Sequence, residues 1–237
     1  MKARQRANYF GTDGIRGRVG SAVMNPQFMM NLGFSLGKVF RGKQKSLRVV
    51  VGKDTRISGD MLEAALESGL LSSGADILSL GIAPTPCISY VVRNSNADLG
   101  VVISASHNPY NDNGIKLFDE DGNKLSSKMQ VSIEDELQKD EPNDEHRNFG
   151  KLLRPTEPFF EYEAYCQSFI KGSRDLANLS LVLDCANGAT YEIAPRVFEK
   201  LGLLPICLGV DPDGTNINES CGSTDTTVLQ NTVIEKE

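Results

Sequence analysis

The chain has 237 residues, 40% of them hydrophobic, and its 25 Lys and Arg against 31 Asp and Glu give a formal charge of −6 at pH 7. This length suffices for one large domain or two ordinary domains, each with its own core, so a small disulfide-stapled scaffold is excluded. The acidic balance, without a Lys- or Arg-dense run, excludes a typical nucleic-acid-binding protein, because contacts to the phosphate backbone dominate that affinity.

The sequence predicts neither a membrane span nor a secretory signal. Apolar runs such as residues 101–103 are strand-sized and far below the ~20 residues that cross a bilayer. Residues 8–11 (Asn-Tyr-Phe-Gly) follow a basic N-terminus where a signal peptide needs an apolar segment. The five cysteines are odd in number and show no C-x-x-C spacing, which is typical of reduced thiols. We therefore expect a cytoplasmic protein with no membrane partner.

Helix and strand signals alternate from the start of the chain. The Asn-Pro pair at residues 25–26 predicts the beginning of a helix, and apolar residues at helical spacing continue it to about residue 41. A β-branched strand is expected at 47–51, followed by a polar loop and a second helix with Ser58 as its cap.

The same alternation continues beyond the second helix. Gly74 is placed to end that helix in a left-handed conformation. The next elements are expected as strands at 77–80 and 100–103, a hairpin formed by 115–118 and 124–125, and a helix carrying Met129, Ile133 and Leu137. Continuously apolar strands between helices indicate a parallel sheet covered on both faces.

A domain boundary is predicted near residue 150. Between residues 139 and 158 the composition shifts to Asp, Glu, Asn, Arg and Pro, which is typical of an interdomain connection. We therefore predict one domain over residues 1–150 and a second over 151–237. The second domain is expected to begin with an amphipathic helix over 159–170.

The second domain repeats an element order found in the first. Strands are expected at 179–183 and 204–208, with a helix through Val197 and Phe198 between them. Gly202 and Gly209 match Gly74 and Gly81 of the first domain when the two segments are aligned. The sequence thus predicts repeated layered α/β domains with mixed, mainly parallel sheets, although any strand–helix–strand unit has a similar pattern.

One loop concentrates reactive side chains. In open parallel sheets, ligands bind beyond the carboxyl ends of the strands. Residues 104–116 follow an apolar strand there and carry the hydroxyl of Ser106, the imidazole of His107, several amides and Lys116. Their Asn, Asp, Gly and Pro residues are equally compatible with a turn-rich connection.

Two other loops carry cations at strand ends. Residues 11–17 place Arg16 among glycines, and residues 53–56 place Arg56 before a helix N-terminus, where an anion is favoured. An isolated Arg more often forms a surface salt bridge. Three anion-friendly loops in one acidic protein are better explained by a phosphorylated small molecule as the ligand.

These loops resemble motifs of the α-D-phosphohexomutase family. Residues 105–109 (Ala-Ser-His-Asn-Pro) are similar to its phosphoserine loop, and residues 12–17 (Thr-Asp-Gly-Ile-Arg-Gly) to its N-terminal arginine loop. The likeness runs from Tyr9 to the end of the chain. Four segments look like the bacterial branch that acts on glucosamine phosphates, namely 9–17, 52–59, 184–191 and 212–225.

The resemblance implies the interconversion of glucosamine 6-phosphate and glucosamine 1-phosphate through a sugar 1,6-bisphosphate, a step toward UDP-N-acetylglucosamine and the cell wall. It makes Ser106 the phosphoryl carrier, with Arg16 and Lys116 stabilising the transferring group and Lys116 also assisting proton transfer. It implies a homodimer as well. Contacts to phosphate or substrate are expected from the remaining candidates, Thr12, Asp54, Arg56, His107 and Asn108.

The resemblance also implies Mg²⁺, bound by the phosphate on Ser106 and by three Asp of an Asp-Gly-Asp-Gly-Asp-Arg loop. That loop is not in this sequence, and the acidic strings at 119–122 and 211–214 are interpreted as turns. An amphipathic helix begins at Val228 with no strand after it. We therefore expect a second domain cut before its metal loop and a chain inactive by itself.

Two alternatives stay open at this point. One is a phosphomannomutase or phosphoglucomutase of the same family. The other is a non-catalytic fragment that at most binds phosphosugars.

Overall fold

A computed structural model describes residues 9–41, 46–139, 148–170, 176 and 179–236. Its strands are β1 (Ile15–Arg18), β2 (Leu47–Lys53), β3 (Ala75–Ile82), β4 (Leu99–Ile103), β5 (Asp112–Phe118), β6 (Leu152–Leu153), β7 (Val182–Asp184) and β8 (Ile206–Leu208). Its helices are α1 (Pro26–Arg41), α2 (Ser58–Ser72), α3 (Thr85–Asn94), α4 (Ser127–Leu137), α5 (Phe160–Ser168), α6 (Ile193–Lys200) and α7 (Thr227–Lys236), with a 3₁₀ turn at Gly222–Thr224.

Within the described residues, six strands form one sheet in the order β1-β5-β4-β2-β3-β6. The pairs β4–β2, β2–β3 and β3–β6 are parallel, whereas β1–β5 and β5–β4 are antiparallel. Strands β7 and β8 form a separate parallel pair. The predicted class, layered α/β with mixed and mainly parallel sheets, is confirmed.

The sheet is covered on both faces, as its apolar strands predict. One face packs against α1, α2 and α4 through residues such as Val49, Val51 and Leu66. The opposite face packs against α3 and also against Phe159 and Ile193 from the second half of the chain. All five residues of β4 are buried because helices or chain segments lie on both of its sides.

The helix-start predictions had different outcomes. Asn25 accepts a hydrogen bond from the Phe28 N–H at 2.9 Å, and Pro26 begins α1, as predicted. The cap prediction for Ser58 is wrong, because Ser58 is the first residue of α2 and Ile57 holds the cap position. The Ser58 hydroxyl instead accepts the side-chain amide of Asn113 at 2.9 Å, so a tertiary contact takes the group that would have capped the helix.

The predicted hairpin beyond β5 is reduced to one antiparallel bridge, between Phe118 and Lys124. The Asp119 carbonyl accepts the N–H of Gly122, whose φ is +71°, so the expected Asp-Gly turn is present. Residues 124–125 then lead directly into α4. Its expected residues Met129, Ile133 and Leu137 all pack toward the core.

The second half of the chain has shorter strands than expected. Strand β7 covers Val182–Asp184 where 179–183 was predicted, and β8 covers Ile206–Leu208 where 204–208 was predicted. Leu179 and Leu204 are 59% and 89% exposed, because the two-stranded pair buries little at its amino end. The predicted helix at 159–170 is present as α5.

The division at residue 150 stays a prediction. Strand β6 adds to the six-stranded sheet by pairing with β3, and residues 140–147 of the predicted connection lie outside the described residues. In the part of the chain that the structure describes, no helix is long and apolar enough to span a bilayer.

Candidate functional site

Ser106 lies on the loop that leaves β4 at the carboxyl end of the parallel strands. Its side chain is exposed, and its φ of +58° puts a non-glycine residue in the left-handed region. The Ser106 N–H donates to the hydroxyl of Ser104 at 3.0 Å. Because such a backbone conformation costs free energy, it persists only where surrounding contacts enforce it. The loop around Ser106 therefore needs anchors, and the structure contains several.

Asp54, at the end of β2, is the first anchor and is 4% exposed. Its carboxylate accepts the Ser104 hydroxyl at 2.6 Å and the Arg56 Nε–H at 2.9 Å. The Ser104 hydroxyl thus links Asp54 to the backbone of Ser106. Since β2 and β4 are adjacent parallel strands, Asp54 and Ser104 meet at neighbouring strand ends.

Arg56 is the second anchor, and its side chain is fully buried. Its Nη2 donates to the carbonyls of Ser106 and Asn108 at 2.9 and 2.8 Å. Its Nη1 donates to the carbonyls of Pro109 and Asp112, the latter at 3.1 Å. With Nε bound to Asp54, all five N–H donors of the guanidinium are engaged.

This geometry gives Asp54 and Arg56 a place beneath the Ser106 loop rather than on the ligand side of it. A direct contact of either residue with phosphate stays a prediction, and for Arg56 it would require breaking one of these hydrogen bonds. The alternative of a surface salt bridge is wrong for Arg56, because its salt bridge to Asp54 is buried.

Asn218 is a third anchor, and it was not among the predicted site residues. Its side-chain amide donates to the same carbonyls as Arg56 Nη2, those of Ser106 at 2.9 Å and Asn108 at 3.1 Å. It comes from the segment after β8. A signal for it existed, because residue 218 lies in the 212–225 segment that carries the family resemblance, but nothing local indicated its contact with Ser106.

Arg16 and Lys116 form a cationic cluster with Asp13. Arg16 Nη2 and Lys116 Nζ lie 2.5 and 2.9 Å from the same oxygen, Oδ2 of Asp13. The hydrogen bond from Lys116, and then the charges of Lys116 and Arg16, hold the pKa of Asp13 below its usual value. Asp13 therefore stays anionic at neutral pH and keeps both cations on one side of the sheet.

Strand register places this cluster next to the Ser106 loop. Arg16 on β1 is opposite Gly114 on β5, and the Gly114 carbonyl accepts the N–H of Ser104 at 2.9 Å. A Cβ at Gly114 would come within 2.7 Å of the Ser104 carbonyl and 3.1 Å of Arg16 Cγ. Glycine at this position thus allows the Arg16 side chain and the start of the loop to approach each other.

The predicted candidates that remain lie around the same edge. His107 is exposed beside Ser106, and the side-chain amide of Asn108 donates to Asp112 Oδ2 at 2.9 Å. The Thr12 carbonyl accepts from Lys124 Nζ, which joins the arginine loop to the turn after β5.

Lys53 belongs to the third cationic loop but is neutralised within the protein. Its ammonium contacts Asp60 Oδ1 at 2.7 Å and also Glu63. Burial alone would lower the pKa of Lys53, yet hydrogen bonds to these carboxylates outweigh burial and raise the pKa. Arg16 and Lys116, by contrast, share the single carboxylate of Asp13, so their cluster keeps a net positive charge.

A metal site is not assembled in the part of the chain that the structure describes. There, no group of three or more His, Cys, Asp or Glu side chains is arranged to hold an ion. Mg²⁺ takes about six oxygen ligands, of which a phosphate on Ser106 would supply one. The described residues do not fit a complete Mg²⁺ site, and we derive no chemical step through the metal.

Comparison with known proteins defines the class. Residues 7–144 match the family model described as phosphoglucomutase/phosphomannomutase, alpha/beta/alpha domain I. The chain therefore belongs to the phosphoglucomutase/phosphomannomutase family, as the motif resemblance predicted.

Within that family the chain is similar to phosphoglucosamine mutases. It is 50% identical over 226 residues to the enzyme of Pseudomonas savastanoi pv. phaseolicola, an alignment that covers 95% of this chain and 50% of the relative. It is 46% identical to that of Vibrio atlanticus, covering 98% of this chain and 52% of the relative. The chain thus spans about half the length of the curated relatives it matches.

A solved structure has a similar fold. The phosphoglucomutase/phosphomannomutase family protein of Burkholderia thailandensis aligns with a TM-score of 0.74 at 27% identity, covering 87% of this chain and 45% of that one.

Proposed function

We propose that the protein, at its natural length, is a phosphoglucosamine mutase that interconverts glucosamine 6-phosphate and glucosamine 1-phosphate. The observation that carries the proposal is Ser106, an exposed hydroxyl on a loop anchored by Asp54 and Arg56 beside the Arg16–Lys116 cluster. The names of relatives at 46% and 50% identity support the choice of sugar.

The proposed reaction proceeds through two phosphoryl transfers. In the first, the Oγ–P bond of phosphorylated Ser106 breaks while a bond forms from phosphorus to the free hydroxyl of the sugar phosphate. The proton of that hydroxyl ends on Ser106 Oγ, the leaving oxygen, and the product is a sugar 1,6-bisphosphate. After the bisphosphate reorients, the bond from its other phosphoryl group to the sugar oxygen breaks while a bond forms from phosphorus to Ser106 Oγ. The Oγ proton passes to the released sugar oxygen, so the phosphoserine is restored and the isomeric monophosphate leaves.

The surrounding residues have roles that suit this chemistry. Phosphoryl transfer depends on in-line positioning and on neutralising charge spread over the transferring oxygens. Arg16 and Lys116 supply that positive charge, and Lys116 assists the proton transfer at the sugar hydroxyl. Thr12, His107 and Asn108 border the same edge and contact the phosphate or the sugar, whereas Asp54 and Arg56 hold the loop.

Several features of the working enzyme belong to the same proposal. Mg²⁺, held in part by the phosphate on Ser106, would supply further positive charge near the phosphoryl group, and a chelator should abolish turnover of the protein at natural length until the ion is restored. The enzyme acts in the cytoplasm, which agrees with five free cysteines in the structure. It forms a homodimer, a point that sedimentation analysis measures directly.

The test of the proposal is the phosphorylation state of Ser106. Protein purified from its host at natural length should carry one phosphoryl group, mapped to Ser106 and removed by phosphatase. Ser106→Ala should lower mutase turnover by roughly 10³-fold or more, because the covalent carrier is lost. Ser220→Ala is the matched control, since Ser220 is also an exposed serine with positive φ, +51° against +58° for Ser106.

An unphosphorylated Ser106 together with full turnover of Ser106→Ala would overturn the proposal. The choice of sugar is tested separately. A phosphomannomutase or phosphoglucomutase activity is the second candidate, because the matching family model is described by those two reactions. Values of kcat/KM for glucosamine, mannose and glucose 6-phosphates decide between them, and glucosamine 6-phosphate should be preferred.

A further inference from the structure

We propose that Asn218 is a positioning residue for Ser106, through which the second half of the chain fixes the loop that carries the phosphoryl group. This inference rests on the proposed function, since it assumes that Ser106 is the reacting residue. The contact itself is independent of that function and can be tested without measuring activity.

Both backbone sides of Ser106 are held by hydrogen bonds. Its N–H donates to Ser104, and its carbonyl accepts from Arg56 Nη2 and from Asn218 Nδ2, each at 2.9 Å. The carbonyl of Asn108 accepts from the same two donors at 2.8 and 3.1 Å. Arg56 and Asn218 therefore donate hydrogen bonds to the same pair of carbonyls, although they lie in two different parts of the chain.

Asn218 does not depend on this contact for its own placement. Its N–H donates to the Ala186 carbonyl at 2.9 Å, and its neighbours Ile217 and Cys221 are buried. Near it, the Gly222 N–H donates to Asp184 Oδ2 at 2.6 Å, at the end of β7. Removing the Asn218 amide thus leaves the segment attached to the β7–β8 pair.

The same segment also lies against the loop after β2. The Ile57 N–H donates to the Gly214 carbonyl at 2.8 Å, and the Thr55 hydroxyl donates to the Asn187 carbonyl. These contacts bring the second half of the chain to the back of the Ser106 loop. The hydrogen bond from the Asn218 amide then connects this docked segment to the carbonyl of Ser106.

Arg56 and Asn218 therefore hold the loop under different conditions. Arg56 belongs to the same sheet as the loop and holds it whenever that sheet is folded. Asn218 adds its two hydrogen bonds only when the second half is docked. The orientation of the Ser106 hydroxyl is therefore tied to the relative placement of the two halves, which is useful where both must contact one sugar phosphate.

The first test is amide hydrogen exchange in the Ser106 loop, using protein at natural length. Asn218→Gly removes the amide, and glycine accepts the φ of +60° at this position without strain. Asn218→Asp replaces the amide N–H donors by a carboxylate oxygen, which cannot donate to the two carbonyls. In both variants the loop amides of Asn108 and Asp112 should exchange about threefold to tenfold faster, because the two hydrogen bonds of Asn218 are lost while Arg56 still donates to the same carbonyls.

Ser220→Gly is the matched control. Ser220 is exposed in the same segment and also has a positive φ, +51°, so the substitution has a similar effect on the backbone but removes no amide. Its loop exchange should equal that of the unsubstituted protein. Unchanged exchange in both Asn218 variants, or equal acceleration in Ser220→Gly, would overturn the inference.

The second test separates positioning from a general structural role. If Asn218 orients Ser106, its two variants should lower kcat about threefold to tenfold with KM for the sugar phosphate unchanged. A raised KM with unchanged kcat would contradict positioning. If Ser106 proves unphosphorylated, the proposed function fails while the exchange result stands, so the two failures are distinguishable.

Discussion

The two strand–loop–helix–strand units of this chain, β2–α2–β3 and β7–α6–β8, share an element order but differ greatly in burial. Five of the seven residues of β2 are buried, whereas none of the three residues of β7 is. Yet the glycines that follow the two helices, Gly74 and Gly202, have φ values of +84° and +85°. The local backbone is thus repeated, but the environment is not.

This difference shows that neighbours, rather than the local pattern, set the burial of a unit. Strand β2 pairs on both sides, with β4 and β3, and has helices over both faces. In the described residues, β7 and β8 pair only with each other. The loops differ accordingly, because the one after β2 buries Arg56 under the Ser106 loop, whereas the one after β7 accepts the Thr55 hydroxyl at the Asn187 carbonyl.

The largest contrast should appear in thiol reactivity. Cys87 on α3, which packs against β2, is fully buried, and burial raises its pKa to about 12. Cys207 on β8 is partly exposed, and burial raises its pKa as well. Native alkylation near pH 8, resolved by peptide mass spectrometry, should label Cys207 at least ~10³-fold faster than Cys87, which reacts only after opening of the core. In urea the alkylation rates of the two thiols should converge. Similar rates in the native protein would contradict the difference in burial.

Buried and half-exposed arginines give the next contrast. Arg56→Met should lower the free energy of unfolding by about 3–5 kcal/mol, because it strands the buried carboxylate of Asp54. Arg196→Met in α6 should cost only about 1 kcal/mol, because Arg196 is 43% exposed and Lys200 still pairs with Glu163. Urea unfolding of both variants measures the difference, and equal losses would mean that the second unit is as tightly built as the first.

Core truncation sharpens the same comparison. Leu66→Ala in α2 removes a side chain that is 0% exposed and should lower the free energy of unfolding by about 3 kcal/mol. Val197→Ala in α6 removes a partly exposed side chain and should cost about 1 kcal/mol. Urea unfolding again measures both free energies. A larger loss for Val197→Ala would contradict the inference that the first unit is packed more tightly than the second.

The matched glycines give the smallest and cleanest contrast. An alanine Cβ at Gly202 would meet nothing within 4 Å, so Gly202→Ala should cost about 1 kcal/mol from left-handed strain alone. At Gly74 the Cβ would lie 2.9 Å from the Asn148 carbonyl and 3.1 Å from Arg41 Nη1. Gly74→Ala should therefore cost about 2 kcal/mol, because steric crowding adds to the strain. Equal decreases in melting temperature for the two variants would show that the neighbours of Gly74 move to relieve the crowding.

Much of the fold was predictable because its signals are local. The Asn-Pro pair at 25–26 predicted the start of α1, and apolar periodicity predicted its length. The position of Gly74 predicted the left-handed end of α2, and its φ is +84°. Strand ends in the second half were harder, because the limits of β7 depend on how much of it another element covers.

The candidate site divides in the same way. Residue types and spacing pointed to Ser106, Lys116 and Arg16, and the family resemblance gave them roles that stay proposals. They did not indicate that Asp13 would hold both cations on one oxygen. They also did not indicate that all five N–H donors of the Arg56 guanidinium would form hydrogen bonds within the protein.

By itself, then, the sequence determined the α/β class, most element positions and the loop that carries Ser106, because helix periodicity, strand composition and turn chemistry act over a few residues. Only the tertiary structure decided what holds that loop. Asn218 and Ser106 are 112 positions apart and meet because two units dock, and no short-range pattern encodes a hydrogen bond that exists only after docking.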